Sequence, residues 1–142
     1  MSDQVKRKIV LFLCNGNSCR SQMAEAMVNY YLADRWQAFS AGVVPAGFVH
    51  PMAIQVLAEL GIDHKGVSKG VEQFIGHKFD WVITLCSEAE HNCPVWLGEG
   101  KKQHIGFSDP AQVTGTEQEK VEAFRKVRDE MLIRIVEYLK IS

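Results

Sequence analysis

The sequence predicts an α/β fold with a doubly wound, four-stranded parallel sheet flanked by helices. Short runs of consecutive apolar residues, typical of strands covered on both faces, alternate with segments whose apolar residues recur every three or four positions. Strands that alternate with helices in this way indicate parallel pairing. The chain has 142 residues, of which 46% are hydrophobic, and this size suits one compact domain. We therefore expect a single domain over residues 1–142.

The first half of the chain predicts two strands, each followed by a helix. The apolar run Lys8–Leu13 predicts a buried strand, and a polar loop separates it from the first helix. Gln37–Gly42 predicts the second strand, and Pro51 suits the first turn of a helix that Gly61 ends. The apolar stripe of the first helix is expected to contain Ala24, Met27, Val28, Tyr31 and Leu32. The inner face of the second is expected to contain Ile54, Leu57 and Ala58.

The second half of the chain predicts two more strands and a long final helix. Val71–Gly76 is expected to form a short helical segment, followed by a third strand at Asp80–Leu85 and a fourth at Gln103–Phe107. The last helix is expected from Thr116 to Leu139, and its apolar stripe from Val121, Phe124, Val127, Met131, Ile135 and Tyr138. In such folds the ligand site lies at the carboxyl ends of the strands.

Charge and hydropathy exclude several classes of partner. The formal net charge is −1 and no block of like charges occurs, so we expect no nucleic-acid partner and no binding to anionic membranes. The apolar run Ile9–Leu13 is too short to cross a membrane and shorter than a typical signal-peptide core. We expect a cytoplasmic monomer.

The chain contains four cysteines, Cys14, Cys19, Cys86 and Cys93. In a reducing cytoplasm cysteines are more often catalytic or metal-bound than joined in permanent disulfides. Four thiols could hold zinc, but the Cys-x4-Cys and Cys-x6-Cys spacings lack the tight pairs of a zinc ribbon. We therefore expect no metal and no cofactor. Cys19 is interpreted as structural or as a site of oxidative damage.

The loop Cys14–Ser21 lies between the first strand and the first helix, where backbone N–H groups favour a thiolate and can cradle an oxyanion. Gly16 is expected to let the loop fold closely around the anion, and Arg20 to hold two of its oxygens with a planar fork. Ser21 is expected to donate a hydrogen bond to the Cys14 thiolate while capping the helix. The alternative is a buried structural cysteine followed by a surface arginine. The expected oxyanion ligands are Asn15, Gly16, Asn17, Ser18, Cys19 and Arg20.

The loop, its position between strand and helix, and the later Asp109-Pro110 resemble the low-molecular-weight tyrosine phosphatases. In that family the loop cysteine attacks a phosphoryl group, the arginine holds it and the aspartate is the general acid. The resemblance therefore implies these roles for Cys14, Arg20 and Asp109. The motifs occur in the same order over nearly the whole chain.

Two further cysteines resemble the redox pair of the thioredoxin-coupled arsenate reductases, which share this fold. They lie in Thr84-Leu85-Cys86-Ser87 and Asn92-Cys93-Pro94, and the loop Cys14–Glu25 is also similar to theirs. Phosphatases of this fold usually follow Asp-Pro with aromatic residues that wall the phosphotyrosine site. Here Ala111-Gln112 follows, which favours the reductase.

The resemblance implies a relay of three thiols. Cys14 would attack arsenic while Asp109 protonates the departing oxygen. Cys86 would then attack the Cys14 sulfur and release arsenite, and Cys93 would attack Cys86 in turn. Thioredoxin or a similar dithiol would reduce the final disulfide, although glutaredoxin-linked relatives leave the donor open. Ser87–Asn92 is polar and is expected to be a marginal helix that unwinds.

Two other classes of protein remain open at this point. A phosphatase acting on phosphotyrosine would need no resolving thiols, so the pair Cys86 and Cys93 argues against it. A regulator that binds oxyanions or senses thiol oxidation would need no turnover. The intact set of Cys14, Arg20 and Asp109 argues against that class.

Members of the family often bind potassium beside the anion loop. By motif position Asn17, Glu25 and Ser40 match three of the ligands, whereas the fourth position falls near Ser68-Lys69. The Lys69 ammonium could occupy the cation position itself and make activity independent of potassium. The alternative is that Lys69 is a solvated side chain.

Overall fold

The computed structural model describes residues 6–87, 96 and 98–142. The strands in this part of the chain are β1 (Lys8–Cys14), β2 (Trp36–Gly42), β3 (Trp81–Thr84) and β4 (Lys101–His104). The helices are α1 (Arg20–Tyr31), α2 (Pro51–Ala58), α3 (Glu117–Met131) and α4 (Glu137–Lys140). The π-helical turn Leu132–Val136 joins α3 to α4, and short 3-10 helices cover Val71–Phe74 and Pro110–Gln112.

The strands form one parallel sheet in the order β2-β1-β3-β4. Strand β1 is central, and its Leu13 is in register with Ala41 of β2 and Thr84 of β3. Each connection between paired strands is therefore a crossover, because parallel neighbours cannot be joined by a tight turn. The predicted fold class is confirmed.

Alternate residues of β1 enter two different hydrophobic clusters, which explains why the strand has no polar face. Val10 and Phe12 pack in the larger cluster, which also contains side chains of α1, α2 and α3. Leu11 and Leu13 point to the other face, where the smaller cluster contains aromatic side chains, Phe74, Phe79 and Trp96. Burial on both faces extends to the carboxyl end of β1, because Leu13 and Cys14 are buried as well.

The buried face of α2 is rotated from the predicted one. Ala53, Val56 and Leu57 are buried, whereas Ile54 is 38% exposed and Ala58 is exposed. This helix is short and has apolar residues on more than one face, so the sequence pattern does not determine which face is buried. Tyr31 of the α1 stripe is also 41% exposed, because it is the last residue of the helix.

Strand β4 begins earlier than predicted, at Lys101 instead of Gln103, and all of its residues are exposed. It is an edge strand of the described sheet, and its polar residues gave no apolar signal. The predicted stretch continues the pairing, because the Ile105 N–H donates to Thr84 and the Phe107 N–H donates to Leu85.

The final helix begins where the sequence predicts. Thr116 caps α3 and forms a reciprocal capping box with Glu119. Phe124, Val127 and Met131 are buried on its inner stripe. No helix in the described residues is long and apolar enough to cross a membrane.

Glu59 joins α2 to α3 and should make the stability depend on pH. Arg125 Nε donates to its carboxylate at 2.9 Å, and Arg128 Nη1 donates at 2.6 Å. These bonds, chiefly the one from Arg125, lower the pKa of Glu59 from 4.5 to about 2. The stabilisation is present above pH 4.5 and is lost as the pH falls toward 2. Since 34% of the side chain is exposed, screening limits the effect to ~1 kcal/mol.

We therefore expect Glu59→Gln to lower the free energy of unfolding by ~1 kcal/mol at pH 7 and by much less at pH 3. Urea unfolding at the two pH values measures the difference. Glu130→Gln on α3 is the control, for which the difference should not change with pH. An equal loss for Glu59→Gln at both pH values would exclude the charged pair as its cause.

Candidate active site

Five of the six predicted oxyanion residues line one cavity of about 230 Å³ at the carboxyl ends of the strands. The cavity lies between the loop that follows β1 and the turn that begins at Asp109. Asn17 does not line it and instead supports the loop from behind. The predicted residues that line the cavity are Cys14, Asn15, Gly16, Ser18, Cys19, Arg20 and Asp109.

Cys14 ends β1 and is only 2% exposed. Its Sγ lies 2.9 Å from Ser21 Oγ, and Asn17 Nδ2 donates to the same hydroxyl oxygen at 2.7 Å. Ser21 can therefore donate its proton to a Cys14 thiolate while its oxygen accepts from Asn17. The predicted hydrogen bond to sulfur is present, but the predicted helix cap is wrong, since Cys19 occupies the cap position without a side-chain bond.

Asn17 holds the loop in its folded shape. Its backbone has a φ of 49°, in the left-handed region, and its side chain is fully buried. Its Oδ1 accepts from Gln22 Nε2 and from the Lys69 backbone N–H, both at 2.9 Å. Gln22 Oε1 is in turn 2.7 Å from His64 Nε2. Gln22 and His64 were not predicted as site residues, because a polar helix residue and a lone histidine give no distinctive signal.

The closest backbone packing against the loop is at Gly42, and the role of Gly16 toward an anion stays a prediction. A Cβ at Gly42 would lie 2.6 Å from Asn15 O and 2.8 Å from Asn17 N, whereas one at Gly16 would have its nearest neighbour, Ala46 Cβ, at 3.8 Å. Gly42 ends β2, the strand beside β1. The end of β2 must therefore be a glycine for the loop to fold against it.

Arg20 is 3% exposed and lies opposite Asp109. Its Nη1 donates to Phe107 O at 3.1 Å, and its Nη2 lies 3.6 Å from Asp109 Oδ2. Asp109 caps the 3-10 helix that follows it by accepting from the Ala111 N–H at 3.0 Å. The planar fork and the carboxyl group thus face one cavity, as the sequence analysis expects for an oxyanion holder and a proton donor.

His50 also lines the cavity and was not predicted as a site residue. Its Nδ1 accepts from the Met52 N–H at 3.1 Å and caps α2, so the neutral ring carries its proton on Nε2. Burial lowers the pKa of His50 below 6.5 although the charge of Asp109 opposes this shift. Pro51 at the predicted start of α2 indicated that His50 is the helix cap, and this was the sequence signal that could have located it.

The four predicted residues of the cation site lie together. Lys69 Nζ is 3.4 Å from Ser40 Oγ and 3.6 Å from Glu25 Oε1, and it donates to Val67 O at 2.9 Å. Ser40 Oγ also donates to Glu25 at 2.6 Å. Only 17% of the Lys69 side chain is exposed, so its ammonium lies among these oxygens and not in open solvent.

Cys86 is fully buried just beyond the end of β3. The Leu85 N–H donates to Leu13 O at 2.9 Å, so the chain before Cys86 still runs beside the chain before Cys14. Cys93 and most of the predicted Ser87–Asn92 helix lie outside the described residues. Within the described residues no group of three or more His, Cys, Asp or Glu side chains could hold a metal ion.

The chain belongs to the low molecular weight phosphotyrosine protein phosphatase family, whose model matches residues 9–140. The arsenate reductase of Bacillus subtilis is 43% identical over 135 residues, which cover 94% of this chain and 96% of that protein. A solved arsenate reductase in the phosphate-binding state superposes with a TM-score of 0.75 and 33% identity, over 95% of this chain and 99% of that one. A thioredoxin-dependent arsenate reductase of Corynebacterium glutamicum superposes with a TM-score of 0.60 and 26% identity, over 89% and 61%. The resemblance found in the motifs is confirmed.

Cys14 and Cys19 should differ strongly in reactivity. Burial, helped by the charges of Asp109 and Cys14, raises the pKa of Cys19 from 9.0 to about 12. Its thiol is therefore protonated at neutral pH and becomes a nucleophile only as the pH nears 12. We expect iodoacetamide at pH 7.5 to modify Cys14 at least ~10-fold faster than Cys19.

Mass spectrometry with fragmentation of the shared peptide measures the two modifications separately. The urea-unfolded protein is the control, in which both thiols should react at similar rates. Equal rates in the folded protein would show that burial does not protect the Cys19 thiol.

Proposed function

We propose that this protein reduces arsenate to arsenite in the cytoplasm through Cys14, Cys86 and Cys93, and that a dithiol protein of the thioredoxin type regenerates it. The observation that carries the proposal is the pairing of an oxyanion cavity around Cys14 with a second cysteine at the end of the neighbouring strand. The relatives that match nearly the whole chain are arsenate reductases, which supports arsenate as the substrate.

The cavity binds and activates the oxyanion. The Arg20 fork and the loop N–H groups hold the arsenate oxygens, and the Cys14 thiolate attacks arsenic. Asp109 delivers a proton to the departing oxygen, which leaves as water and breaks one As–O bond as the S–As bond forms. Ser21 stabilises the thiolate before the attack through its hydroxyl.

The later steps move two electrons from sulfur to arsenic. The Cys86 thiolate attacks the Cys14 sulfur, the new S–S bond forms, and the electron pair of the S–As bond passes to arsenic. Arsenic(V) becomes arsenic(III), and arsenite leaves. Cys93 then attacks the Cys86 sulfur and releases the Cys14 thiolate. The external dithiol reduces the Cys86–Cys93 disulfide.

Hydrolysis of phosphate monoesters is the second candidate function. The family is named for phosphotyrosine phosphatases, and this reaction needs Cys14, Arg20 and Asp109 but no second thiol. After Asp109-Pro110 the residue that lines the cavity is Ala111, so this position offers no aromatic ring for a phosphotyrosine, although Phe48 lines the cavity elsewhere. We infer at most weak phosphatase activity.

Lys69 takes the place of a bound cation in this proposal. Its ammonium neutralises Glu25, and its backbone N–H fixes the Asn17 amide that supports Ser21. The anion loop is thereby held by a charge that belongs to the chain, so potassium is not required.

The relay predicts a different end point for each cysteine variant. Cys14→Ser should be inactive, because no sulfur can attack arsenic. Cys86→Ser should stop as arsenylated Cys14, whereas Cys93→Ser should complete one turnover and stop as a Cys14–Cys86 disulfide. Both later variants should retain p-nitrophenyl phosphate hydrolysis, since that reaction uses only the cavity.

Arsenate-dependent NADPH oxidation with thioredoxin and its reductase measures turnover, and mass spectrometry after one arsenate addition identifies the trapped species. Cys14→Ser sets the background for both assays. If Cys14→Ser turned over arsenate faster than a blank preparation, Cys14 could not be the nucleophile. A wild-type disulfide between Cys14 and Cys93, with Cys86 unpaired, would reverse the order of the relay.

Replacing Lys69 should create a dependence on potassium. In Lys69→Asp the carboxylate joins Glu25 and leaves two negative charges without a cation, so kcat/KM should fall ~10-fold in sodium salts and recover in potassium salts. Lys65→Asp is the matched control, because that side chain is 85% exposed. Steady-state kinetics at equal ionic strength tests both. Strong potassium activation of the unmodified protein would show that the ammonium does not replace the ion.

A further inference from the structure

The backbone at Gly106-Phe107 links the two parts of the proposed active site. The Phe107 carbonyl accepts from Arg20 Nη1 at 3.1 Å, and the Phe107 N–H donates to Leu85 O at 3.1 Å. Gly106 packs so closely that a Cβ there would lie 2.8 Å from Cys86 O. Movement of this short segment would therefore disturb the oxyanion fork and the chain before the second thiol together.

Arg134 holds this segment from the outside. Its Nη1 donates to Gly106 O at 2.9 Å, and its guanidinium carbon lies 4.6 Å from the centroid of the Phe107 ring. One side chain thus makes a charge-assisted hydrogen bond to the first residue and a cation–π contact with the second. Phe107 is only 3% exposed, so its ring is fixed on the remaining sides by the core.

The π-helical turn Leu132–Val136 carries Arg134 at its centre. A π turn inserts one residue into a helix, and such turns occur often at functional sites. Ile135 and Val136 after Arg134 are buried, so the turn anchors the core on one side while it directs Arg134 toward Gly106. A cavity of about 340 Å³ lies beside Ser87, the residue after Cys86, and is also lined by Ser108 and Arg134.

We propose that Arg134 is a positioning residue for oxyanion binding, acting through Gly106-Phe107 on Arg20 and on Asp109. The proposal rests on the proposed function, because it requires Arg20 to hold the oxyanion. Arg20 makes its hydrogen bond to Phe107 and its closest approach to Asp109 with different nitrogens. The Phe107 carbonyl therefore takes part in orienting the Arg20 guanidinium.

Loss of Arg134 should affect kinetics more than stability. Its side chain is exposed, and the Gly106 carbonyl can accept from water when the arginine is removed, so folding loses little. A reacting group, in contrast, loses rate steeply when it shifts by an ångström or less. A purely structural surface arginine would show the opposite pattern, with altered stability and unchanged kinetic constants.

The test compares Arg134→Gln with Lys126→Gln, so that each variant loses one positive charge. Lys126 is an exposed residue of α3, the helix that precedes the π-helical turn. We expect Arg134→Gln to raise the KM for arsenate ~10-fold and the KM for p-nitrophenyl phosphate by a similar factor, because both substrates depend on Arg20. Arg134→Lys should recover part of the loss, since an ammonium can donate to Gly106 O but cannot stack as a plane. Lys126→Gln should stay within about twofold of wild type.

Two results would overturn the proposal. In the first, the KM values of Arg134→Gln equal those of Lys126→Gln. In the second, Arg134→Gln impairs the reductase reaction alone, which would trace the effect to Cys86 instead of Arg20. If Arg134→Gln melts at a lower temperature, Phe107→Leu separates positioning from loss of stability. This variant removes the ring but keeps the backbone carbonyl that Arg20 contacts, so it should raise KM less than Arg134→Gln. An equal or larger rise in KM would contradict the proposal.

Arg20→Lys separates this inference from the proposed function. A normal KM for arsenate in Arg20→Lys would refute the oxyanion role itself. A high KM in Arg20→Lys with a normal KM in Arg134→Gln would refute only the positioning role of Arg134.

Discussion

The buried amide of Asn17 connects the parts of the active site to one another. Its nitrogen donates to the Ser21 hydroxyl, and its oxygen accepts from Gln22 and from the Lys69 backbone. A buried amide needs such partners, because each buried polar group without a hydrogen bond destabilises the fold by roughly 1–3 kcal/mol. Satisfying Asn17 therefore requires α1, the loop after β1 and the segment that contains Lys69 to adopt fixed positions. The Ser21 hydroxyl beside the Cys14 sulfur is oriented as a consequence.

The same loop contains two buried thiols with different surroundings. Cys14 lies at the end of a strand with a hydroxyl 2.9 Å from its sulfur, whereas burial raises the pKa of Cys19 to about 12. Cys19 is thus kept as a neutral thiol in a loop that must attract an anion. A negative charge on Cys19 would repel an oxyanion in the cavity.

The sequence predicted those parts of the fold that depend on strong local patterns. Such patterns located the apolar run of β1, the cysteine and arginine of the loop, and the start of the last helix at Thr116. The rotation of α2 and the start of β4 were wrong, because a short helix fits two stripes and a polar edge strand carries no apolar pattern. Gly42 and Gln22 were missed because their role arises from contacts with residues distant in sequence. No local pattern records such contacts.

The register of the sheet explains why the second thiol is near the first and yet must move to reach it. Leu13 pairs with Thr84, so an ideal continuation of both strands would place the Cα atoms of Cys14 and Cys86 roughly 6 Å apart, within the range of a disulfide. The same continuation would direct the two side chains to opposite faces of the sheet, because successive residues alternate. Cys86 and Cys14 are both buried, so the proposed relay requires the chain after β3 to turn before the two sulfurs can meet. Gly106, which packs against the Cys86 carbonyl, restrains that movement.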